Sequence, residues 1–311
     1  MNSIREIKLN NVRWLDIANF GQAEKDYLAQ NFNFNELDLA DCLSPTQRPK
    51  IEKYPGYTFL ILLFPVYNRQ NRQIYPSEVD FFIGKNYLIT VHRNDLPPII
   101  DLFNGCRVNE EKRKKYLADD PSALLHQIIK RFYRYCFPML DHISLGTSRV
   151  KKNIFQGKER QMVTEILLIR QNIADFRKIM QVHKNTLHKL MGKKNGCGEN
   201  NLLSQKILPH FDILVDMVKD IWDNLESFRE AIETLQQTNE SLISNKLNDI
   251  MKLLTIISTI LLPITLIASV FGMNARHMPF IGQRYDFWVI IGIGVAVVSI
   301  MIVYFRKKRL I

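Results

Sequence analysis

The sequence predicts an α+β protein with an N-terminal mixed α/β domain, a long helix and two C-terminal membrane-spanning helices. Three observations lead to this fold class. The last sixty residues contain two uncharged stretches, Leu253 to Ala275 and Phe287 to Phe305. Segments rich in aromatic and β-branched residues occur mainly before about residue 105. From Leu208 to Phe271 there is no glycine, which is typical of a single long helix.

The average composition conceals the two apolar stretches. The chain has 311 residues, of which 46% are hydrophobic and 23% are charged, and its formal net charge is +11. This composition supports a sizeable folded core and excludes an intrinsically disordered chain. A spanning helix needs roughly 20 mostly apolar residues, and both stretches meet that length. The alternative, buried core helices of a soluble domain, usually requires shorter segments with a polar face.

The N-terminal α/β domain is predicted to cover residues 1–120. The runs Tyr57 to Tyr67 and Val79 to His92 have strand composition, and the second contains a Gly-Lys-Asn turn that predicts a hairpin. Upstream, a short helix is expected to end before Pro45. These elements predict a small sheet with helices packed on it.

Helical spacing dominates from residue 121 onward. Paired helices are predicted for residues 121–195, beginning with Asp119 or Asp120 as the N-cap of a helix that starts at Pro121. The first helix is expected to end near Phe155, and the second to run from about Lys158 to Met191. A glycine-rich stretch, GKKNGCGENN, then predicts a break.

The remaining chain is predicted to form one stalk helix and a membrane hairpin. The stalk covers residues 196–250, and the glycine-free run from Leu208 to Phe271 would form a helix of about 64 residues, roughly 95 Å long, that continues into the first span. The alternative is two shorter helices broken near Asn239. The further boundaries are a first span at 251–274, an outer loop at 275–286, a second span at 287–305 and a basic tail at 306–311.

Charge near the spans predicts their orientation. The first ten residues contain no apolar segment of the kind that precedes a signal-peptide cleavage site. Six basic residues lie before the first span or after the second. Lys246 and Lys252 precede the first span, and Arg306, Lys307, Lys308 and Arg309 follow the second, whereas the loop that connects the spans has Arg276 and Arg284. Because basic residues accumulate on the cytoplasmic side, both termini are expected in the cytoplasm of a multi-pass cell-membrane protein.

Several other classes of function lack support in the sequence. The four cysteines and seven histidines have no metal-ligand spacing, and no phosphate-binding GxxxxGK[ST] loop is present. The chain has no recognisable nucleic-acid-binding motif, and part of its basic excess flanks the spans, so no nucleic acid is expected as a partner. Basic residues dominate from Gly146 to Lys194, and acidic residues dominate from Glu199 to Asp249. This segregation predicts complementary or solvated helix faces.

The first span has a polar stripe at heptad spacing. Its residues are Asn248, Met251, Thr255, Ser258, Leu262, Thr265, Ser269 and Gly272. Lipid cannot satisfy polar groups, so the stripe is expected to face other helices or water. It is therefore either a packing face or the lining of a pore, and a pore would need several copies of the chain.

The stripe ends in the sequence FGMN, Phe271 to Asn274, at the outer end of the first of two C-terminal spans. The run from Ser244 to Asn274, followed by a second span ending in VYFRKKRLI, resembles the CorA family of magnesium transporters. This resemblance implies a homopentameric funnel in a lipid bilayer that conducts divalent cations. It also implies that Gly272, Met273 and Asn274 form a selectivity filter, with Asn274 nearest the metal, and that Leu254 joins the pore-lining stripe.

The resemblance implies Mg²⁺ as the cargo, and also as a regulatory ligand on the cytoplasmic side, with transport driven by the membrane potential. The regulatory acids would include Asp212 and Asp216, although the matching stalk position is Ile213; on the N-terminal side the chain offers Glu78 and Asp80. Solvated stalk acids are the alternative. The chain is not expected to be an enzyme.

Basic residues at the cytoplasmic end of the spans form a candidate ring around the path. These are Lys246, Arg306, Lys307, Lys308 and Arg309. Such a ring would be a barrier to ion exit, and its alternative is a phospholipid anchor. Two functional alternatives remain: a transporter of another divalent cation, Co²⁺, Ni²⁺ or less favourably Zn²⁺, and a membrane-anchored sensor that conducts nothing.

Overall fold

The computed structural model describes residues 3–44, 48–117, 120–192, 203–273 and 285–308. The chain divides into two compact units, an N-terminal unit of residues 1–236 and a C-terminal unit of residues 237–311. In chain order, the helices and strands are β1 (Ile4–Leu9), β2 (Val12–Ala18), α1 (Gln22–Asn31), α2 (Glu36–Asp41), β3 (Lys50–Lys53), β4 (Tyr57–Asn68), β5 (Gln73–Gly84), β6 (Tyr87–His92), α3 (Pro97–Val108), α4 (Glu110–Leu117), α5 (Pro121–Phe155), α6 (Glu159–Met180), α7 (His183–Leu190), α8 (Leu208–Phe271) and α9 (Asp286–Lys307). The predicted α+β class is confirmed.

A six-stranded mixed sheet organises the N-terminal unit. The strand order is β1-β2-β6-β5-β4-β3, and β2 and β6 form its parallel pair. The predicted hairpin is present, because β5 and β6 are antiparallel and separated by Lys85 and Asn86. A side chain at Gly84 would meet the Tyr87 ring at 2.3 Å, so the turn requires glycine at that position.

Apolar residues cover both faces of the sheet. On one face, Phe59 and Phe82 form a cluster with Leu28 of α1 and Leu39 of α2. On the other, Phe64 of β4 stacks on Phe132 of α5 with their ring centroids 4.1 Å apart. The sheet is therefore a central layer between short N-terminal helices and the longer helices that follow it.

Helix α5 begins where the sequence predicts. Asp120 is its N-cap, and the Asp120 carboxylate accepts a hydrogen bond of 2.9 Å from the backbone N–H of Ala123. Pro121 occupies the first turn, where its missing N–H costs no helical hydrogen bond. The helix ends at Phe155, also as predicted.

The prediction of one helix from Lys158 to Met191 is wrong. Helix α6 ends at Met180, and α7 begins at His183. The imidazole of His183 lies buried, 3.0 Å from the Tyr133 hydroxyl at Nδ1 and 2.7 Å from the Leu63 carbonyl oxygen at Nε2. Burial lowers the pKa of His183 to about 4, so the ring is neutral. These contacts fix the chain on β4 and α5 at the point where the helix is interrupted.

Helix α8 is continuous over 64 residues. It passes through Asn239 without a break, so the alternative of two shorter helices is not what the chain adopts. Pro263 lies inside the helix, within the membrane-spanning part. The glycine-rich break predicted between Met191 and Leu202 falls largely outside the described residues.

Three cysteines in the described part of the chain are free thiols. Cys106 and Cys136 are buried, and Cys42 is partly buried beside Asp80. Burial raises the pKa of all three thiols, in the case of Cys106 to about 11. Cys197 lies outside the described residues.

Candidate ion pathway

Two helices of the C-terminal unit are long and apolar enough to cross a membrane. They are the C-terminal part of α8 and the segment Phe287–Lys307 of α9. A bilayer core about 30 Å thick matches a helix of roughly 20 residues, which is the length of α9. Most of their large apolar side chains are exposed in the single chain, which fits contact with lipid rather than a soluble core.

Helices α8 and α9 line a common groove on one side of α8. Ile264, Ile267 and Ala268 of α8 line a groove of about 360 Å³ together with Gly294 and Val298 of α9. About one turn before Ile264, Ile260 is half-buried, and about two turns before it, Ile256 is 7% exposed. The covered side of α8 is therefore apolar.

The polar stripe lies on the other side of α8. At roughly 100° per residue, Thr255 lies about 180° and Leu262 about 160° from Ile264. All the predicted pore-lining residues are exposed in the single chain; they are Asn248, Met251, Leu254, Thr255, Ser258, Leu262, Thr265 and Ser269. Within the described residues, α9 therefore leaves the stripe uncovered.

The threonine hydroxyls on the stripe bond to their own helix. Thr255 Oγ1 donates to the Met251 carbonyl oxygen at 2.8 Å, and Thr265 Oγ1 donates to the Leu262 carbonyl oxygen at 2.9 Å. A hydroxyl whose proton is bound in this way presents its oxygen lone pairs outward. The stripe can therefore accept hydrogen bonds from the water molecules that surround a cation.

A side chain at Gly272 would be crowded by the end of α8. Its N–H bonds to the Ala268 carbonyl oxygen at 2.9 Å, and a Cβ at this position would lie 3.0 Å from the same oxygen. Met273 follows and is exposed. Asn274, the predicted filter residue, lies outside the described residues, as does the loop up to residue 284.

The predicted regulatory acids of α8 are on its exposed side in the N-terminal unit. Asp212 and Asp216 are exposed, whereas Phe211, Leu214 and Val218 on the same helix are buried. Among the described residues, no group of three histidine, cysteine or acidic side chains is arranged to hold a metal ion. A metal site at these acids would need ligands from another copy of the chain.

The acids of β5 are in a different environment. Asp80 is 3% exposed and lines a cavity of about 110 Å³ with Glu78 and Cys42. Burial, followed by the neighbouring charge of Glu78, raises the pKa of Asp80 well above its usual range. The stalk acids do not line this cavity, so the structure of a single chain does not bring the two sets of predicted regulatory acids together.

Some basic residues of α6 contact the acidic helix α8. Arg177 of α6 forms an ion pair of 2.7 Å with Glu226 of α8, and its guanidinium lies 5.0 Å from the centre of the Trp222 ring. Arg170 of α6 donates to Gln236 of α8 at 3.0 Å. One face of basic α6 therefore matches acidic α8, as the charge pattern predicts.

The basic residues of the predicted ring are divided between the two spanning helices. Arg306 and Lys307 form the last turn of α9 and are exposed, and Lys308 is its C-cap. Lys246 lies on α8, before the membrane-spanning part. Arg309 lies outside the described residues.

Together, two spanning helices and a polar face that α9 leaves uncovered define a membrane protein with a candidate path for ions. The model of the CorA-like Mg²⁺ transporter protein family matches residues 10–307. The chain therefore belongs to the CorA-like Mg²⁺ transporter family, whose members are ion transporters and not enzymes.

Individual proteins agree with this assignment. The chain is 27% identical to the cobalt/magnesium transport protein CorA of Thermotoga maritima, over 95% of this chain and 82% of that protein. It is 23% identical to the magnesium transport protein CorA of Helicobacter pylori, over 97% of this chain and 92% of that protein. The complete structure of the CorA magnesium transporter from Methanocaldococcus jannaschii matches with a TM-score of 0.83 at 20% identity, covering 99% of this chain and 94% of that chain.

Proposed function

We propose that this chain forms a homopentameric channel for Mg²⁺ in which five copies of α8 surround a central path. The observation that carries the proposal is the polar stripe, which is exposed on the side of α8 away from α9. Two spans cannot enclose water by themselves. Several copies that turn this stripe inward would satisfy its polar groups and create an aqueous path.

Selection of the ion is assigned to the outer end of α8. Mg²⁺ releases its water shell reluctantly, so oxygen acceptors that bind the hydrated ion suit it. A ring of Asn274 side chains would supply amide oxygens, and in the sequence Asn274 follows Gly272 and Met273. The hydroxyls of Thr255 and Thr265 extend the row of acceptors, because their protons are held by backbone carbonyl groups.

The gate is assigned to two apolar rings in the same path. Leu254 and Leu262 are 53% and 67% exposed in the single chain. When five such side chains meet, they form a constriction that excludes water, and an ion cannot pass without its hydration. A modest widening of these rings would let water and the hydrated ion through.

The membrane potential drives transport. A potential of 100 mV is worth about 2.3 kcal/mol per elementary charge, and about twice that for a divalent ion. With both termini in the cytoplasm of the cell, Lys246, Arg306, Lys307, Lys308 and Arg309 lie at the inner end of the path. There they act as an electrostatic barrier to exit, or, as the alternative role, bind phospholipid head groups.

Regulation is assigned to Mg²⁺ bound between copies of the cytoplasmic region. Asp212 and Asp216 are exposed, and the described part of one chain contains no complete metal site, so a neighbouring copy would complete it. Bound Mg²⁺ would join neighbouring copies and hold the path closed. Release of the ion at low cytoplasmic concentration would allow opening.

Other divalent cations are the second candidate cargo. Two relatives are named as cobalt/magnesium transport proteins, and Met251 on the stripe offers a softer sulfur ligand. The stripe has no cysteine or histidine, which disfavours Zn²⁺ relative to Co²⁺ and Ni²⁺. A non-conducting anchor is disfavoured because it gains nothing from polar residues at heptad spacing in the membrane.

Ion flux into liposomes tests the proposal. Asn274→Ala is expected to reduce Mg²⁺ flux at least tenfold, which corresponds to about 1.4 kcal/mol. Thr265→Val removes a stripe hydroxyl and is expected to reduce flux by a smaller factor. Ser299→Ala is the matched control, because Ser299 makes the same kind of bond, 2.8 Å to the Val295 carbonyl oxygen, but lies on α9 and lines the groove beside α8.

Four outcomes would contradict parts of this proposal. Unchanged Mg²⁺ flux in Asn274→Ala would exclude the outer ring, and equal effects of Ser299→Ala and Thr265→Val would exclude the stripe as the lining. Faster flux of Co²⁺ or Ni²⁺ than of Mg²⁺ would change the cargo. A mass corresponding to one or two copies in mild detergent would exclude the pore itself.

Protease digestion tests the regulatory site separately. Mg²⁺ is expected to slow digestion of the wild type and to have less effect on a variant carrying Asp212→Asn and Asp216→Asn. Digestion of the wild type at the same rate with and without Mg²⁺ would remove the basis of the sensor while leaving the pore proposal intact.

A further inference from the structure

A basic pocket lies in the N-terminal unit, among α3, α4 and α5. Its volume is about 480 Å³, within the range of sites for small molecules. The α5 residues that line it recur at helical spacing and so share one face; they are Gln127, Lys130, Arg131, Arg134, Tyr135 and Pro138. Tyr116 of α4 and Asp101 of α3 line the facing wall.

The positive charges of this pocket are not used in the fold. Within the described residues, Lys130, Arg131 and Arg134 take part in no ion pair, although Asp101 lines the same pocket. Other arginines of the N-terminal unit, such as Arg72 and Arg177, are paired with acids. Three unpaired cations and one carboxylate leave the lining with an excess of two positive charges. An anion with more than one negative charge would compensate it.

The geometry of the cations favours phosphate groups. Arginine presents a planar set of N–H donors that matches a phosphate with two parallel hydrogen bonds, and two arginines one turn apart can hold adjacent phosphate groups. Lys130, half-buried on the same face, adds a third positive charge. A single carboxylate ligand would leave most of these donors unused.

The remaining lining suits a planar ring. Tyr116 and Tyr135 are both half-buried in the pocket wall and offer aromatic faces for stacking. Gln127 and Asp101 provide both donors and acceptors for polar ring edges. We propose that this pocket binds a nucleoside polyphosphate, with its phosphates on Lys130, Arg131 and Arg134 and its base against Tyr116 and Tyr135.

Titration calorimetry on the full chain in detergent tests this site. EDTA is present so that transported metal cannot contribute. The probes are ADP, tripolyphosphate and inositol trisphosphate, which separate a nucleotide from phosphate groups alone and from a lipid head group. ADP is expected to bind with the highest affinity of the three. A variant carrying Arg131→Ala and Arg134→Ala is expected to weaken ADP binding at least tenfold.

Matched variants identify what each part of the pocket contributes. Lys151→Ala with Lys152→Ala removes two exposed cations from α5 outside the pocket and is expected to leave binding unchanged. Arg131→Lys with Arg134→Lys keeps the charge and is expected to retain part of the affinity, which excludes a folding defect as the cause. Tyr135→Ala is expected to weaken ADP binding several-fold and to leave tripolyphosphate binding unchanged.

Three results would overturn the assignment. Absence of ADP binding to the wild type at millimolar concentration would exclude the site. Tighter binding of inositol trisphosphate or tripolyphosphate than of ADP would exclude a nucleotide as its ligand. Equal loss of affinity in the Lys151 and Lys152 variant would mean that binding depends on the general charge of α5. None of these results depends on ion flux.

Discussion

Helix α8 has two stretches whose apolar residues differ in burial: one in the N-terminal unit and one that spans the membrane. In the N-terminal unit, Phe211, Leu214 and Ile221 are 0% exposed, and the acids of this stretch point outward. In the membrane-spanning stretch, Leu254 and Leu261 are more than 50% exposed, and polar residues share the exposed surface. The first stretch buries its apolar residues against the same chain. The second leaves most of its surface exposed in the single chain.

A single continuous helix can therefore have different surroundings along its length. The heptad spacing of small and polar residues persists into the membrane, but what covers the helix changes. In water, apolar residues are stabilised by packing against other parts of the protein. In lipid, apolar residues can face the bilayer, and it is the polar residues that need protein or water as a partner. The polar stripe is therefore the informative feature of the membrane stretch, just as the buried apolar residues are in the other.

Truncation of one leucine in each stretch gives the largest test of this comparison. Leu214→Ala is expected to lower the free energy of unfolding of the N-terminal unit by about 3 kcal/mol, because it leaves a cavity in packed surroundings. Leu261→Ala, the matched control, is expected to change it by less than about 0.5 kcal/mol. Thermal unfolding of the full chain in detergent measures both. Similar losses in the two variants would contradict the comparison.

The N-terminal unit also buries an acid, and this gives a prediction of intermediate size. The raised pKa of Asp80 means that the folded chain holds a proton which the unfolded chain releases above about pH 3.9. The wild type therefore loses stability as the pH rises above that value. Asp80→Asn mimics the protonated acid and is expected to raise the unfolding midpoint by several degrees at pH 7.

Unfolding curves between pH 4 and pH 8 test whether the stability of the wild type falls as the pH rises. The gain from Asp80→Asn should shrink toward pH 4, where the unfolded wild type also begins to bind the proton. Asp141→Asn, an exposed acid on α5, is the control and should give no comparable gain. If the unfolding midpoint of Asp80→Asn at pH 7 is lower than that of the wild type, the carboxylate of Asp80 is ionised and held by a cation.

The smallest expected effect concerns the charge complementarity of the first stretch. Arg177→Ala removes the ion pair with Glu226 and the contact with Trp222, and is expected to cost about 1 kcal/mol. Part of this cost should disappear at high salt, since both partners are partly exposed. Lys178→Ala, at the neighbouring position, is the control. Equal changes in the two variants, as measured by thermal unfolding, would mean that the sorted charges are solvated rather than paired.

Local signals in the sequence predicted the elements whose ends depend on local chemistry. Asp120 and Pro121 define the start of α5 because capping involves only neighbouring residues. The absence of glycine predicted the length of α8, and the heptad spacing predicted its stripe. Which side of α8 faces α9 could not be predicted, because that depends on how two separate apolar helices pack.

Features that depend on distant partners were missed. The break between α6 and α7 is explained by His183, whose partners Tyr133 and Leu63 are 50 and 120 residues away in the sequence. The parallel pairing of β2 with β6 joins strands separated by more than sixty residues. The basic pocket was missed for the same reason. In the sequence, Lys130, Arg131 and Arg134 look like an exposed face of a helix, and they become part of a pocket only because α3 and α4 lie beside them.

The inert thiols have a practical consequence. Because the raised pKa keeps Cys42, Cys106 and Cys136 protonated near neutral pH, they react slowly with thiol-specific labels. With Cys197→Ser, the chain becomes a background on which a single introduced cysteine can be modified selectively. Water-soluble reagents applied to Thr255→Cys and Ile264→Cys, which lie about 180° apart on the helix, would then show which side of α8 is accessible to water.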